Sequence, residues 1–241
     1  MTETTGKNDI LLIIPAYNEA ENIERVVDEL VSGYPEFDYV VVTDGPTDGT
    51  DEICKRRGYN AVFLPRNMGL TRCFQNGMKY AFENGYTYAV QFDGDGQHRP
   101  EYIGSMKKKA LEGYDLVQGS RFIPEETEAG NPAAGESAKM SGARSFGSFL
   151  IRTAIRLKTG RKVTDPTCGL RLYSEKLIDD FANREEFAPE PDTMARLLKR
   201  GIRYAEVGVR VAEREGGKSY LNLSSAGKYM WRMLSSILSD K

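Results

Sequence analysis

The chain has 241 residues, 40% of them apolar and 28% charged, with a formal net charge of −2. That length suits one sizeable domain with a real core, and the near-neutral balance offers no basic field for nucleic acid. Cys54, Cys73 and Cys168 are odd in number and too far apart to make a metal pair, which points to a reducing compartment. Met1–Asn8 is short and polar, unlike a signal peptide or an anchor. No apolar run reaches the roughly 18–20 residues that span a bilayer, so a cytoplasmic protein is expected.

Ile10–Ile14 is a continuous apolar run, as expected of a strand covered on both faces. It ends in Pro15-Ala16-Tyr17-Asn18-Glu19, where Asn18 is expected to cap the following helix. In that helix Ile23, Val26, Val27, Leu30 and Val31 recur at helical spacing. Tyr39–Thr43 reads as a second strand, Asp44-Gly45-Pro46-Thr47-Asp48-Gly49 as a turn, and Thr50–Arg57 as a short helix. Ala61–Leu64 reads as a third strand, Leu70–Asn84 as a helix, and Tyr88–Phe92 as a fourth strand.

Next comes Asp93-Gly94-Asp95-Gly96-Gln97-His98, with Pro100 suited to a helix start. Asp-Gly pairs also form plain turns. Two carboxylates one glycine apart at a strand end can nevertheless reach one point, as a divalent cation shared with a diphosphate requires. An EF-hand is excluded, because His98 stands at the obligatory glycine and Gly104 at the obligatory Glu.

Ile103, Met106, Ala110 and Leu111 mark another helix, and Asp115–Gln118 a short strand before Gly119-Ser120-Arg121. Pro124–Ser141 has almost no apolar anchor and reads as a mobile loop, either an active-site lid or a plain disordered insertion. A helix over Arg144–Lys158, the turn Asp165-Pro166-Thr167-Cys168-Gly169, the stretch Leu170–Tyr173, a helix near Thr193–Arg200 and a strand over Arg203–Val211 follow. At the end, Ala226, Met230, Met233, Leu234, Ile237 and Leu238 form an apolar stripe, with Lys228, Arg232, Ser235 and Ser239 off it and Trp231 beside the cations. That pattern fits either packing on the domain's own core or peripheral contact with a membrane or partner.

Strands alternating with helices imply an α/β fold, a doubly wound mostly parallel sheet with helices on both faces and ligands beyond the strands' carboxyl ends. No G-x-G-x-x-G follows the first strand and no G-x-x-x-x-G-K-S/T occurs, so dinucleotide dehydrogenases and P-loop enzymes are not expected.

Seven stretches, IIPAYNEAENI, VVTDGPTDGT, RNMGL, DGDGQHRPE, GSR, DPTCGLR and REGGKS, occur in order over about residues 10–220. Together they resemble family-2 glycosyltransferases of the GT-A fold. They are most similar to the catalytic domains of dolichol-phosphate mannose synthases and polyprenyl-phosphate sugar transferases. The resemblance implies a GT-A domain over residues 1–220, and the apolar stripe places an amphipathic helix over 221–241 after it. It also implies a UDP- or GDP-linked sugar donor, Mg2+ or Mn2+, and inversion at the anomeric carbon. The acceptor it implies is a polyprenyl phosphate, with a hydroxyl of a growing cell-surface glycan as the alternative.

Residue by residue, the resemblance assigns Pro15, Tyr17 and Glu19 to the base and ribose pocket and Asp44 to the base itself. Asp93 would sit by the ribose and the metal, and Asp95 and Gln97 would ligate the metal. Arg121, Arg144 and Ser148 would hold the acceptor phosphate, and Arg214 and Lys218 would close over the diphosphate. A hydroxyl acceptor needs a carboxylate base, for which Asp165, Glu190 and Asp192 are candidates. The sole histidine, His98, is read as a supporting residue.

Two features depart from the pattern. Thr43-Asp44 replaces the usual acidic pair and Pro46 the usual small serine, leaving the nucleotide base open. Many relatives continue into membrane helices, whereas this sequence stops about twenty residues after REGGKS. Peripheral membrane contact and a homo-oligomer are both compatible with the reading. A pyrophosphorylase would carry a Gly-rich start where PAYNE stands, and a degenerate binding module would be expected to lose carboxylates that both remain here.

Overall fold

The computed structural model describes residues 8–125, 142–211 and 223–239, with side chains from residues 147 and 227 onward in the last two segments. The first half alternates strictly: β1 (Ile10–Ala16), α1 (Ile23–Gly33), β2 (Asp38–Asp44), α2 (Thr50–Arg57), β3 (Ala61–Leu64), α3 (Leu70–Glu83) and β4 (Tyr88–Gln91). After a 3-10 turn at Pro100–Tyr102 come α4 (Ile103–Leu111), β5 (Leu116–Ser120) and α5 (Gly142–Thr159). β6 (Arg171–Ser174), α6 (Glu175–Asn183), α7 (Pro191–Lys199), β7 (Tyr204–Gly208) and α8 (Leu223–Leu238) complete the chain. The strands form one sheet in the order β3-β2-β1-β4-β6-β5-β7. Every pairing is parallel except those of β6, which runs antiparallel to both β4 and β5.

The apolar runs follow from burial on two faces. Ile10, Leu12 and Ile14 pack with Val26, Val27 and Leu30 of α1, while Leu11 and Ile13 pack with Phe74 and Met78 of α3. Helices α1, α2 and α4 cover the first face, and α3 with α5–α8 covers the second. The expected doubly wound, mostly parallel α/β sheet is therefore what forms, and it places the ends of β1, β2, β4 and β5 on one rim.

Several local expectations are corrected. Asn18 does not cap α1, which starts at Ile23. It takes a left-handed φ of 56° and its Oδ1 accepts the Thr47 N–H at 2.8 Å. A tie to the neighbouring loop has displaced the local cap. Helix α6 was not anticipated, because it follows β6 with no turn residue between them. Its apolar face is carried by Leu177, Ile178 and Phe181.

The last strand is shorter than expected, at Tyr204–Gly208. Of the segment Pro124–Ser141 only Pro124 and Glu125 are described, and the remainder lies outside the described residues. Glu125 accepts from the Tyr102 hydroxyl and pairs with Arg210, both at 2.9 Å.

Most of the stripe on α8 packs on the domain's own core, with Leu238 left 54% exposed at its end. Met233 and Ile237 are 1% and 2% exposed, and Tyr229, Met230 and Leu234 pack beside them. The side chain of Ala226 lies outside the described residues. Helices α5 and α8 run side by side in the same direction: Met230 abuts Gly147, and Lys158 Nζ donates to the Leu238 carbonyl at 3.4 Å. Trp231 stays 75% exposed.

Candidate active site

The loop after β1 and the loop after β2 are stitched together at the rim. Besides the Asn18–Thr47 bond, Glu19 N donates to Thr50 Oγ1 at 3.0 Å and Ala20 N to Asp48 Oδ2 at 2.9 Å. Glu19 is buried, with its Oε2 accepting from Asn22 Nδ2 at 2.9 Å. Pro15 and Tyr17 are half-buried in the same loop. Asp44, at the end of β2, is 3% exposed and directs its carboxylate at the backbone of the RNMGL stretch, accepting from Met68 N at 2.7 Å and Gly69 N at 2.9 Å. Gly45 explains itself here: its φ is +60°, and a Cβ would lie 2.4 Å from the Arg66 backbone.

The acidic loop follows β4. Asp95 Oδ1 accepts from Gln97 N at 3.0 Å, which closes a tight turn around Gly96, whose φ is +75°. Arg25 of α1 packs against that glycine. His98 is 7% exposed and bonded to the loop itself: its Nδ1 accepts from Asp93 N at 3.1 Å, and its Nε2 lies 3.6 Å from Asp93 Oδ2. Asp93 keeps its side chain 38% exposed. Among the described residues no group of three His, Cys, Asp or Glu side chains gathers. Two carboxylates and the amide of Gln97 on one loop suit a hard cation whose other ligands come from phosphate and water.

Opposite lies the turn that precedes β6. Asp165 is fully buried and grips Arg121 by a forked pair, with Nε to Oδ2 at 2.7 Å and Nη2 to Oδ1 at 2.8 Å. Arg121 N and the Thr167 hydroxyl donate to the same carboxylate, at 3.1 Å each. Burial alone would raise the Asp165 carboxyl; the bonds and charge of Arg121 outweigh it and hold the group below the usual carboxylate range. An ionised carboxylate so occupied orients a guanidinium and is poorly placed to take a proton. Arg121 remains 19% exposed.

Ser148 on α5 is buried and its Oγ has no hydrogen-bond partner among the described residues. One turn further, Arg152 lies over the Phe122 ring and donates to the Thr164 carbonyl, so α5 crosses beside Arg121. Glu190 bonds to Arg232, and Asp192 accepts from Ser236. Burial lifts Glu190 above its ordinary range, with Arg232 acting the other way. The Arg144 side chain, Arg214 and Lys218 lie outside the described residues.

The two halves meet at Gly169. A Cβ there would lie 2.6 Å from Asp93 Oδ2 and 2.9 Å from His98 Cε1, so the acidic loop and the Asp165 turn are in direct apposition. Residues 11–181 match the sequence profile described as "Glycosyl transferase family 2". The chain belongs to glycosyl transferase family 2. Among relatives of this family-2 enzyme, an undecaprenyl-phosphate mannosyltransferase of Micrococcus luteus is 29% identical, over 91% of this chain and 90% of its own. A polyprenol monophosphomannose synthase of Mycolicibacterium smegmatis is 27% identical, over 92% and 84%. A crystal structure of glucosyl-3-phosphoglycerate synthase from Mycobacterium tuberculosis with Mn2+ and UDP-glucose is 22% identical, covering 95% of this chain and 78% of that one at a TM-score of 0.64. At that identity the likeness shows the fold, and the fold is GT-A.

The sequence reading missed one group in this family-2 enzyme. Gln118, Arg171 and Glu206 are polar residues inside strands β5, β6 and β7, on the face that carries the Asp165 turn. The available signal was their polarity within otherwise buried strands, since such groups persist only when bonded.

Proposed function

We propose that this enzyme transfers one sugar from a nucleotide sugar to a polyprenyl phosphate, with metal assistance and inversion at the anomeric carbon. The observation that carries the reading is the apposition, through Gly169, of a carboxylate loop to a buried Asp165–Arg121 pair. The relatives with polyprenyl-phosphate names support the acceptor class. In this reading Asp93, Asp95 and Gln97 hold Mg2+ or Mn2+, which when bound supplies charge neutralisation of the leaving diphosphate. Pro15, Tyr17 and Glu19 line the nucleoside pocket, and Asp44 shapes it by fixing the Met68–Gly69 backbone as well as serving the base.

Arg214 and Lys218 close over the diphosphate. On the acceptor side Arg121, Arg144 and Ser148 hold the phosphate, with Asp165 setting the direction of Arg121. A phosphate arrives already anionic, so positioning replaces a general base. The Ser148 hydroxyl, without a partner among the described residues, fits a group that binds a ligand oxygen.

The raised carboxyl of Glu190 is the one feature that favours a glycan hydroxyl acceptor, because a base benefits from such a shift. The two readings separate in one assay. The full chain with Mn2+ and radiolabelled UDP-glucose, UDP-N-acetylglucosamine or GDP-mannose is offered undecaprenyl phosphate or a soluble oligosaccharide. Label moving into the organic phase supports the proposal; label confined to the oligosaccharide overturns it. Asp95→Asn should lower turnover by at least about 10²-fold and abolish the response to added Mn2+, and unchanged turnover would remove the metal assignment.

The reading also places the enzyme at a bilayer surface, on the cytoplasmic side. No helix among the described residues is long and apolar enough to cross a membrane. The paired helices α5 and α8 instead leave Phe149, Leu157, Trp231 and Leu238 exposed, with Arg156, Lys228 and Arg232 also exposed on the same two helices. Apolar side chains interspersed with cations suit peripheral contact with anionic lipid.

A further inference from the structure

Strand register puts Arg171 of β6 beside Gln118 of β5, and Gln118 beside Glu206 of β7. Partners in register point to one face of a sheet, so the three side chains form a row across three neighbouring strands. Gln118 is fully buried and Arg171 is 4% exposed. Among the described residues no carboxylate lies within ion-pair reach of Arg171 and its Nε has no partner; the guanidinium meets the neutral Tyr173 hydroxyl instead. A buried cation held this way is costly, which asks for a reason beyond packing.

The reason lies in what the row holds. Glu206 Oε1 accepts from Thr164 N at 2.8 Å and Asp165 N at 3.2 Å. Gln118 Nε2 donates to the Asp165 and Cys168 carbonyls, at 2.5 and 3.2 Å. Arg171 Nη2 donates to the Pro166 carbonyl at 2.9 Å. The row therefore takes up the backbone groups of the Thr164–Cys168 turn from one side, as a clasp. That turn presents the Asp165 carboxylate to Arg121 and leads into Gly169, the glycine that abuts Asp93.

We infer that Gln118, Arg171 and Glu206 are positioning residues for sugar transfer, a sheet-borne clasp that fixes the Asp165 turn and through it the direction of Arg121. The inference rests on the proposed acceptor role of Arg121. Because transfer to an anionic acceptor depends on placement, a turn that drifts on the order of 1 Å can lower turnover by up to about 10²-fold with no contact to substrate lost directly.

The test uses the full chain and two readouts. One is steady-state transfer from the nucleotide sugar active with the wild type to undecaprenyl phosphate. The other is thiol labelling of the folded protein, mapped to each of the three buried cysteines. Cys168 sits in the clasped turn, whereas Cys54 and Cys73 sit on α2 and α3 and report the rest of the fold. In Gln118→Met and Glu206→Met, kcat should fall at least about tenfold while the donor KM holds. Cys168 labelling should accelerate by a similar factor while Cys54 and Cys73 stay protected. Glu206→Gln keeps an acceptor oxygen and should restore both readouts toward wild type.

The clasp is refuted if Cys168 stays protected in the Met variants, whatever happens to turnover, or if all three cysteines open together, which would mean general destabilisation. A wild type that labels no lipid phosphate would instead overturn the proposed acceptor, leaving the labelling result to judge the clasp alone.

Discussion

Asp165 shows how a single residue changes meaning once its neighbours are known. By type and position it is a candidate base; by contact it is the counter-ion that aims Arg121. Its folded-state pKa lies below the unfolded value of about 3.9, so the pair's stabilisation is complete above about pH 4 and is lost as pH falls through the lowered value. Acid-unfolding curves should therefore be less steep below pH 4 for Asp165→Asn than for the wild type. Removing one partner of so buried a pair is expected to cost about 3–5 kcal/mol, so Arg121→Ala should also show a clearly lower urea midpoint at neutral pH. Gly169 gives a second residue-level expectation. Gly169→Ala pushes a methyl group against Asp93 Oδ2 at 2.6 Å, so it should reduce Mn2+-dependent nucleotide binding, measured by calorimetry with UDP and GDP, while the thermal midpoint moves little.

At the level of elements, α8 separates what pattern can tell from what contact must tell. Its stripe was plain in the sequence, but a stripe does not name the surface that covers it. Met233 and Ile237 are buried with α5 and α7, and Met233→Ala should cost about 2–5 kcal/mol, read as a fall in the urea midpoint. Trp231 is different: at 75% exposure, Trp231→Ser should leave that midpoint in place yet weaken flotation with anionic vesicles, and equal flotation would dismiss the membrane face. The strands of the first half were readable because burial on both faces demands continuous apolar runs, as in Ile10–Ile14. Helix α6 was not, since it leaves β6 without a break residue, and Asn18 was misread because a bond across loops outweighed local capping. The acidic loop and the Arg121 segment were visible as motifs. Their meeting at Gly169 was not, because a distance between residues far apart in the chain has no local signature.

For the whole molecule, the sheet order divides the enzyme into two halves of different origin along the chain. Strands β1–β4 with the nucleoside-side loops all come from residues before 100, while β5–β7 carry the Arg121 and Asp165 side. Among the described residues, the join between them within the sheet is the antiparallel pairing of β4 with β6, Tyr88 opposite Ser174 through Gln91 opposite Arg171. That seam sets an order of events during synthesis. A growing chain can pair β1 to β4 once its first hundred or so residues have emerged, and at about 5–20 residues per second it then waits several seconds for β6. Throughout that interval the edge of β4 is unpaired and open to the wrong strand. Ribosome-bound chains ending near residue 140, long enough for β4 to clear the exit tunnel, should therefore show a protected β1–β4 core and bind hydrophobic-surface chaperones at β4, whereas the full chain held out on a C-terminal linker should release them. Complete protection of β4 at the shorter length would show that the nucleoside half needs no partner to finish folding.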